Sequence, residues 1–446
     1  LAMITGLEIR TVISSKLDIV KAVERAYRRS NTEEIMEDIR LDGVIDLEGL
    51  DQEDKSMAER VESAPVVKLV NSIIMEAYQQ NASDIHIEPE ETFTRVRFRI
   101  DGDLQVYNQF TNEVHQLITT RIKIISGMNI AEKRIPQDGS LRFKQDYVRF
   151  DLRISTLPTT HGEKVVMRLL GADRNISYEL DSLGLSQYTQ LIINKALHLP
   201  HGILLVTGPT GSGKTTTLYS MLAKLNDPRK AIVTIEDPVE RKFESITQIQ
   251  VNNRSGLTFA SGLRSILRQD PDTIMVGEIR DTETAEIAIR AAITGHFVLT
   301  TIHTNDALST VVRLTDMGIE PYLVASSVKC VISQRLVKKI CLQCITTHEV
   351  EKTDNLLLGT TFHTAQHGKG CKYCGNTGYS GRTAVFETIL VDSSLEDLIS
   401  KGASMNELKA YAKEKKMRML ADEVIDLIKK GVTTIEEGIR ILYSVD

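Results

Sequence analysis

Four short apolar runs dominate the second half of the chain. They cover residues 203–206, 231–235, 273–276 and 297–302, and none of them contains a charged residue. Runs this short, rich in aliphatic and β-branched residues, are typical of strands in a parallel sheet that is buried on both faces. The pattern therefore predicts an α/β domain built on a parallel sheet.

A different pattern marks the region before residue 171. Over residues 95–100, apolar residues alternate strictly with arginines, which places the three arginines on one face of a strand. Asp101-Gly102 follows and predicts a hairpin turn. The other elements expected here are a helix over 66–77, which Pro65 would start, and strands over 148–154 and 164–169.

These patterns predict several domains, in keeping with a chain of 446 residues. Residues 32–64 are rich in Asp and Glu, which favours a solvated linker, with a docking segment for a partner as the alternative. The first expected segments are a remnant of an N-terminal domain over 1–31, with a helix over 17–29, and the acidic linker over 32–64. A small α/β domain over 65–171, a second linker over 172–184 and a large α/β domain over 185–446 follow. The large domain is expected to be helical from residue 391 onward.

Composition narrows the class of protein. Hydrophobic residues make up 41% and charged residues 26%, as in ordinary globular proteins, and the net charge of −6 argues against a protein that coats nucleic acid. No apolar run is long enough to span a bilayer, and the residues after Leu1 do not form a signal peptide. Four of the five cysteines fall into two C-x-x-C pairs, which is typical of a metal site in a reducing compartment. We therefore expect a cytoplasmic protein.

Directly after the first apolar run, Gly208 to Thr215 match G-x-x-x-x-G-K-[ST], the phosphate-binding loop. The glycines allow backbone N–H groups to surround phosphate oxygens, Lys214 can reach the β and γ phosphates, and the Thr215 hydroxyl can bind Mg²⁺. A strand is expected before this loop and a helix after it. The expected nucleotide-binding residues are Gly208, Pro209, Thr210, Gly211, Ser212, Gly213, Lys214, Thr215 and Thr216.

The other three apolar runs end next to polar side chains, namely Glu236, Glu278 and His303. Because ligands bind beyond the carboxyl ends of parallel strands, we expect these groups to converge on the nucleotide. No aspartate stands at the usual Mg²⁺-binding position, so we assign Glu278 to the Mg²⁺ shell and Glu236 to the attacking water. Sequence alone leaves open whether the two roles are exchanged.

Longer motifs resemble the secretion ATPase superfamily, whose members drive type II secretion and type IV pili. The segment 236–238 resembles its aspartate box, and the segment 301–305 with His303 resembles its histidine box. The resemblance covers residues 65–387 and also rests on segments 82–88, 155–159, 267–272, 277–281 and 294–296.

The resemblance implies a RecA-like motor domain preceded by a PAS-like domain, assembled into a homohexameric ring that hydrolyses Mg-ATP. It further implies that arginines of the preceding domain and of a neighbouring subunit complete the site. The positions that match this role are Arg153, Arg168, Arg264, Arg268 and Arg280, each with surface or intersubunit ion pairing as the alternative. Many relatives carry arginine where this chain has Ser140, although Arg142 lies close by in the sequence.

The two C-x-x-C pairs comprise Cys341, Cys344, Cys371 and Cys374, separated by residues 345–370. Four thiolates in two such pairs favour a closed, structural Zn²⁺ site over a redox dithiol. Cys330 lies in an apolar stretch and is expected to pack in the core.

Within the resembling family, a tetracysteine module and an N-terminal extension are typical of assembly motors, whereas retraction motors generally lack both. The leading hypothesis is a motor at the cytoplasmic face of the cell membrane that drives type IV pilus assembly through an inner-membrane platform protein, without direct binding of nucleic acid. The alternatives are a type II secretion motor, a DNA-uptake pseudopilus motor and, from another class, a nucleic-acid translocase. A scaffold that binds nucleotide without turnover would need a degraded site, and this site retains its expected groups.

Overall fold

A computed structural model describes residues 64–145, 148–171 and 178–443. The helix expected over 17–29 and nearly all of the acidic linker lie outside these residues. The chain divides into two compact units between residues 173 and 174, which are called here the N-terminal unit and the C-terminal unit.

The N-terminal unit is built on an antiparallel sheet of six strands, in the order β3-β2-β1-β6-β5-β4. Its helices are α1 (Ala64–Gln79) and α2 (Asn112–Ile125). Its strands are β1 (Asp84–Pro89), β2 (Thr94–Ile100), β3 (Asp103–Phe110), β4 (Gln137–Gln145), β5 (Val148–Thr159) and β6 (Gly162–Leu170).

Strand β2 confirms the alternation read from the sequence. Val96 and Phe98 are buried in the core of this unit, whereas the three arginines that alternate with them are partly exposed on the other face. The expected hairpin turn is also present, since Ile100 pairs with Asp103 across Asp101-Gly102. Gly102 has φ of +95°, a conformation that glycine adopts without strain.

The C-terminal unit is built on a sheet of seven strands, in the order β15-β12-β7-β11-β10-β8-β9. All neighbours in it pair in parallel except β12 and β15. Its strands are β7 (Gly202–Thr207), β8 (Ile232–Glu236), β9 (Thr247–Gln250), β10 (Thr273–Val276), β11 (Phe297–Ile302), β12 (Val328–Ile340) and β15 (Tyr379–Leu390). The four apolar runs of the sequence are therefore confirmed as β7, β8, β10 and β11.

Helices cover both faces of this sheet, because its central strands are buried on both faces. In β7, Ile203 and Leu205 belong to one apolar core, whereas Leu204 and Val206 belong to a second core. Successive side chains of a strand point to opposite faces, so both faces must be covered to bury all four residues. The helices before the tetracysteine segment are α3 (Gln187–Leu197), α4 (Lys214–Leu225), α5 (Phe259–Ile266), α6 (Thr282–Ile293), α7 (Ala307–Asp316) and α8 (Pro321–Ser327).

The segment between β12 and β15 forms a small hairpin of its own. It contains β13 (Ile345–Glu349), α9 (Lys352–Leu358) and β14 (Thr364–Gly368), and β13 and β14 pair with each other in a separate two-stranded sheet. The region after β15 is helical, as expected, with α10 (Ser393–Ser400), α11 (Met405–Glu414), α12 (Leu420–Lys429) and α13 (Ile435–Tyr443). Among the described residues, no helix is long and apolar enough to cross a membrane.

Candidate functional site

The phosphate-binding loop joins the end of β7 to the start of α4, so the strand–loop–helix context expected from the sequence is confirmed. Gly208 and Gly213 have φ of +141° and +88°, which other residues rarely adopt. There is also no room for a side chain, because a Cβ atom on Gly208 would lie 2.3 Å from the carbonyl oxygen of Gln334. Thr215 is exposed at the start of α4, where its hydroxyl is available to a ligand.

Lys214 folds back over this loop. Its Nζ donates hydrogen bonds to the carbonyl oxygens of Gly208 at 2.7 Å and Pro209 at 2.9 Å. Burial lowers the pKa of Lys214 to about 8; the nearby Arg335 cation lowers it too, while the Glu278 carboxylate acts in the opposite direction. The ammonium group is thus held beside the loop in a place where an anionic ligand would stabilise its charge.

Gln334, on β12, forms hydrogen bonds that hold the phosphate-binding loop, and no sequence motif predicts this role. Its side chain is 2% exposed. Its Nε2 donates to the Ser212 carbonyl oxygen at 2.8 Å, and its Oε1 accepts from the Thr217 hydroxyl at 2.6 Å. Since Gln334 lies far from the loop in sequence and matches no phosphate-binding motif, only the pairing of β12 with β7 reveals this role.

Glu236 ends β8 and is 3% exposed. Its carboxylate accepts hydrogen bonds from the Tyr219 hydroxyl, from Thr234 Oγ1 at 2.5 Å and from Gln248 Nε2 at 3.1 Å. Burial and the bond to Glu236 raise the pKa of Tyr219, so its hydroxyl remains a donor. These three partners hold the carboxylate in one orientation.

Glu278 follows β10 and is more accessible than Glu236. It forms an ion pair with Arg280, and its Oε2 lies 3.5 Å from Nε2 of His303. It is also the acidic group that acts on the pKa of Lys214. Two of the three polar groups expected at the strand ends, Glu278 and His303, therefore lie together. The Glu278 carboxylate counteracts the lowering of the Lys214 pKa, so these two charges lie near each other.

The turn over residues 303–306 connects β11 to α7 beside the phosphate-binding loop. Thr304 binds Thr207, the last residue of β7, through its backbone N–H at 3.0 Å. An open cavity of about 800 Å³ is lined by this turn, by Gly208 to Thr210 and by α7. The cavity offers room for a ligand next to the loop.

The expected arginines lie in both units. In the C-terminal unit, Arg264 pairs with Glu283 at 2.5 Å, and Arg268 donates to the Arg264 carbonyl oxygen at 3.0 Å. In the N-terminal unit, Arg153 and Arg168 are opposite each other on β5 and β6. Arg168 Nε is 2.8 Å from the Asp84 carboxylate, whereas Arg153 is exposed and makes no ion pair with any residue in the described ranges.

The four expected cysteines converge, and their ligand atoms all lie within 4.8 Å of one another. The Sγ atoms of Cys341 and Cys371 are 3.9 Å apart, as are those of Cys344 and Cys374. Tetrahedral Zn²⁺ with Zn–S bonds of about 2.3 Å separates its sulfur ligands by about 3.8 Å, so this set fits a zinc ion. The fifth cysteine, Cys330, is fully buried on β12, and burial raises the pKa of its thiol to about 12.

Comparison with known proteins decides the family. The family model described as type II/IV secretion system protein matches residues 59–440. The chain belongs to this family. This secretion ATPase is 43% identical to the type II secretion system protein E of Pseudomonas aeruginosa, over 94% of this chain and 85% of that protein. It is 44% identical to the type IV pilus assembly ATPase PilB of Myxococcus xanthus, over 98% of this chain and 78% of that protein.

Solved structures agree with the fold. The pilus retraction motor PilT, with bound ADP, is 28% identical and has a TM-score of 0.57, covering 84% of this chain and 97% of PilT. The ATPase DotB of Legionella pneumophila has a TM-score of 0.63 at 22% identity, which supports the fold alone. The fold class and the ATPase activity expected from the sequence are thus confirmed, and the protein is a secretion ATPase.

Proposed function

We propose that this secretion ATPase is a homohexameric motor at the cytoplasmic face of the cell membrane, where it drives type IV pilus assembly through an inner-membrane platform protein. The observation that carries the proposal is the phosphate-binding loop with Glu278 and His303 beside it, in a chain similar over nearly its whole length to a pilus assembly ATPase. The tetracysteine cluster supports an assembly motor. A type II secretion motor is the second candidate, because the identity to a type II secretion protein is almost the same.

The site residues divide the chemistry among them. Lys214 and the N–H groups of the loop hold the phosphates. Thr215, and Glu278 through water, would hold Mg²⁺, which would supply positive charge to the phosphate oxygens. Glu236 orients and deprotonates the attacking water, and Tyr219, Thr234 and Gln248 support it by fixing its carboxylate. Arg153, Arg168, Arg264, Arg268 and Arg280 are the candidates for stabilising charge in the transition state.

Two matched substitutions test the roles of the glutamates. Glu236→Gln should lower kcat for ATP hydrolysis by about 100-fold or more, because it removes a general base, with nucleotide affinity unchanged. Glu278→Gln should instead raise the Mg²⁺ concentration needed for half-maximal activity. Steady-state kinetics with a Mg²⁺ titration measures both effects. A parental rate in Glu236→Gln would refute its role, and the opposite pattern in the two variants would exchange the roles.

The biological system requires a test in the source cell. A strain with Lys214→Ala in the chromosomal copy should lose surface pili but retain its secreted enzymes, as judged by electron microscopy and by assay of the culture supernatant. Loss of secretion with normal pili would favour the type II secretion motor. Stimulation of ATP hydrolysis by DNA or RNA would instead support a translocase.

A further inference from the structure

Glu387 is a buried carboxylate on β15 that none of the nucleotide-site motifs includes. It is 3% exposed. One of its oxygens accepts from the backbone N–H of Ala307 at 2.8 Å, and the other accepts from the backbone N–H of Leu420 at 3.0 Å. Ala307 and Leu420 are the first residues of α7 and α12. One carboxylate therefore holds the N-termini of two helices that are far apart in sequence.

One end of this arrangement reaches the nucleotide site. Helix α7 continues directly from the turn over 303–306, which carries His303 and lines the cavity beside the phosphate-binding loop. The guanidinium of Arg335 donates to the Asn305 carbonyl oxygen of this turn at 3.2 Å, and its charge also acts on both Glu387 and Lys214. A displacement of the turn would therefore move the N-terminus of α7 that Glu387 holds.

The other end reaches the start of the C-terminal unit. In the first turn of α12, Glu423 is 8% exposed and accepts a hydrogen bond from the Ser186 hydroxyl at 2.9 Å. Ser186 is the N-cap of α3 and accepts from the N–H of Thr189 at 3.2 Å. Helix α3 is the first α-helix of the C-terminal unit after the boundary with the N-terminal unit.

The position of Glu387 requires a side chain that accepts two hydrogen bonds. Burying a carboxylate is costly, and burial raises the pKa of Glu387, which the two backbone N–H groups and Arg335 counteract. The positive ends of two helix dipoles compensate the charge, whereas an apolar side chain would leave two buried N–H groups without an acceptor. Each carboxylate oxygen binds the start of one helix, so a shift of one helix start would displace the carboxylate and its contact with the other.

We propose that Glu387, helix α12 and Glu423 form a relay, which passes nucleotide-dependent movement of the turn over 303–306 to the start of α3. Hydrolysis at the phosphate-binding loop is thereby linked to a helix on the other side of α12 in the C-terminal unit. In this relay Glu387 and Glu423 are positioning residues, because they touch helix ends and not the nucleotide. The relay rests on the nucleotide site proposed above.

A single tryptophan can report the movement, since the chain contains none. Tyr188→Trp places it in the first turn of α3, where Tyr188 packs against an apolar core. A non-hydrolysable ATP analogue with Mg²⁺ should change the tryptophan emission of this reporter protein. Adding Glu387→Gln or Glu423→Gln should reduce that change to about a quarter or less, with the Kd for the analogue within about threefold.

Steady-state kinetics provides the second readout. Both glutamine variants should lower kcat by about tenfold and leave KM for ATP within about threefold, because the conformational step is impaired while the phosphate contacts persist. Asp392→Asn is the matched control. Asp392 is also a helix-capping carboxylate, accepting from the N–H of Leu395 at 2.9 Å, but it lies outside the relay. This variant should keep the parental emission change and kcat.

The outcomes separate the relay from the site on which it rests. A reporter protein that binds no nucleotide would overturn the proposed site, whereas parental binding without an emission change would overturn the relay alone. An emission change that persists in both glutamine variants would also overturn the relay. So would an equal loss in Asp392→Asn, because general loosening of the helical region would then explain the effect.

Discussion

Individual polar side chains inside the C-terminal unit act on the site from buried positions. Gln334 satisfies a carbonyl of the phosphate-binding loop and a hydroxyl of α4 at once, and Glu236 is fixed by three donors. Most buried polar groups in proteins are hydrogen-bonded, since an unpaired one costs about 1–3 kcal/mol. The conformation of the phosphate-binding loop therefore depends on buried side chains around it as much as on its own glycines.

The first residue-scale prediction concerns Gln334. Gln334→Leu would leave the Ser212 carbonyl and the Thr217 hydroxyl without their partner, so the loop should lose its fixed shape and the Kd for ATP should rise about tenfold, which corresponds to about 1.4 kcal/mol. Titration with a fluorescent ATP analogue measures this.

The same substitution at the exposed Gln80, in the N-terminal unit, serves as the control and should leave the Kd unchanged. Gln334→Glu keeps the acceptor for Thr217 but places a buried carboxylate oxygen against the Ser212 carbonyl oxygen, so it should weaken ATP binding at least as much as Gln334→Leu. Parental affinity in Gln334→Leu would show that the loop does not need this side chain.

Among the elements, the hairpin β13–β14 stands apart from the large sheets. Only Ala365 is buried among its strand residues, and it packs, with Leu358 of α9, into an apolar core shared with α12 and α13. The four cysteines lie where this hairpin joins β12 and β15, and backbone N–H groups of Cys371 and Gly378 donate to the sulfur of Cys374 at 3.2 Å. We propose that bound zinc holds the cysteine end of this hairpin, where its strands bury few side chains.

The element-scale prediction is that Cys344→Ser removes the metal and loosens the hairpin. Parental protein purified without chelator should contain about one zinc ion per chain by elemental analysis, and the variant close to none. Limited proteolysis should then cut the variant within residues 345–370, because strands that bury few side chains open readily once the metal is lost.

Cys330→Ala is the control for the loss of a thiol. Cys330 is buried in an apolar core on β12, so this variant should keep its zinc and show only a lower Tm. Folded parental protein without any metal would refute the zinc assignment.

For the whole molecule, the division into two units matters most. Each unit has its own apolar core. The phosphate-binding loop lies in the C-terminal unit, while Arg153 and Arg168 lie on the sheet of the N-terminal unit. We propose that the site is complete only in the assembled ring, where a neighbouring subunit supplies arginines to it.

The prediction at this scale is that hydrolysis depends on assembly whereas nucleotide binding does not. ATPase activity per chain should rise with protein concentration over the range in which analytical ultracentrifugation shows the ring forming, because arginines supplied by a neighbouring subunit contribute to transition-state stabilisation. The Kd for ATP should stay within about threefold across that range. Full activity in a verified monomer would overturn the ring model.

The sequence by itself determined the features that depend on local pattern. The short apolar runs identified strands buried on both faces, the alternation over residues 95–100 identified a strand with one exposed face, and the glycine spacing identified the phosphate-binding loop. The two C-x-x-C pairs identified a cysteine cluster. Each of these signals lies within a few consecutive residues. Such a stretch shows which face of a strand is buried and where the backbone needs glycine, even when the fold is unknown.

Only the tertiary structure decided which distant residues meet. The sheet order places β12 beside β7 and β15 beside β12, which brings Gln334 to the loop and Glu387 to the starts of α7 and α12. A lone glutamine or glutamate in a strand carries no local signal of such a partner. Its role follows from strand pairing and from the need of buried donors for an acceptor, and both are settled only when the chain has folded.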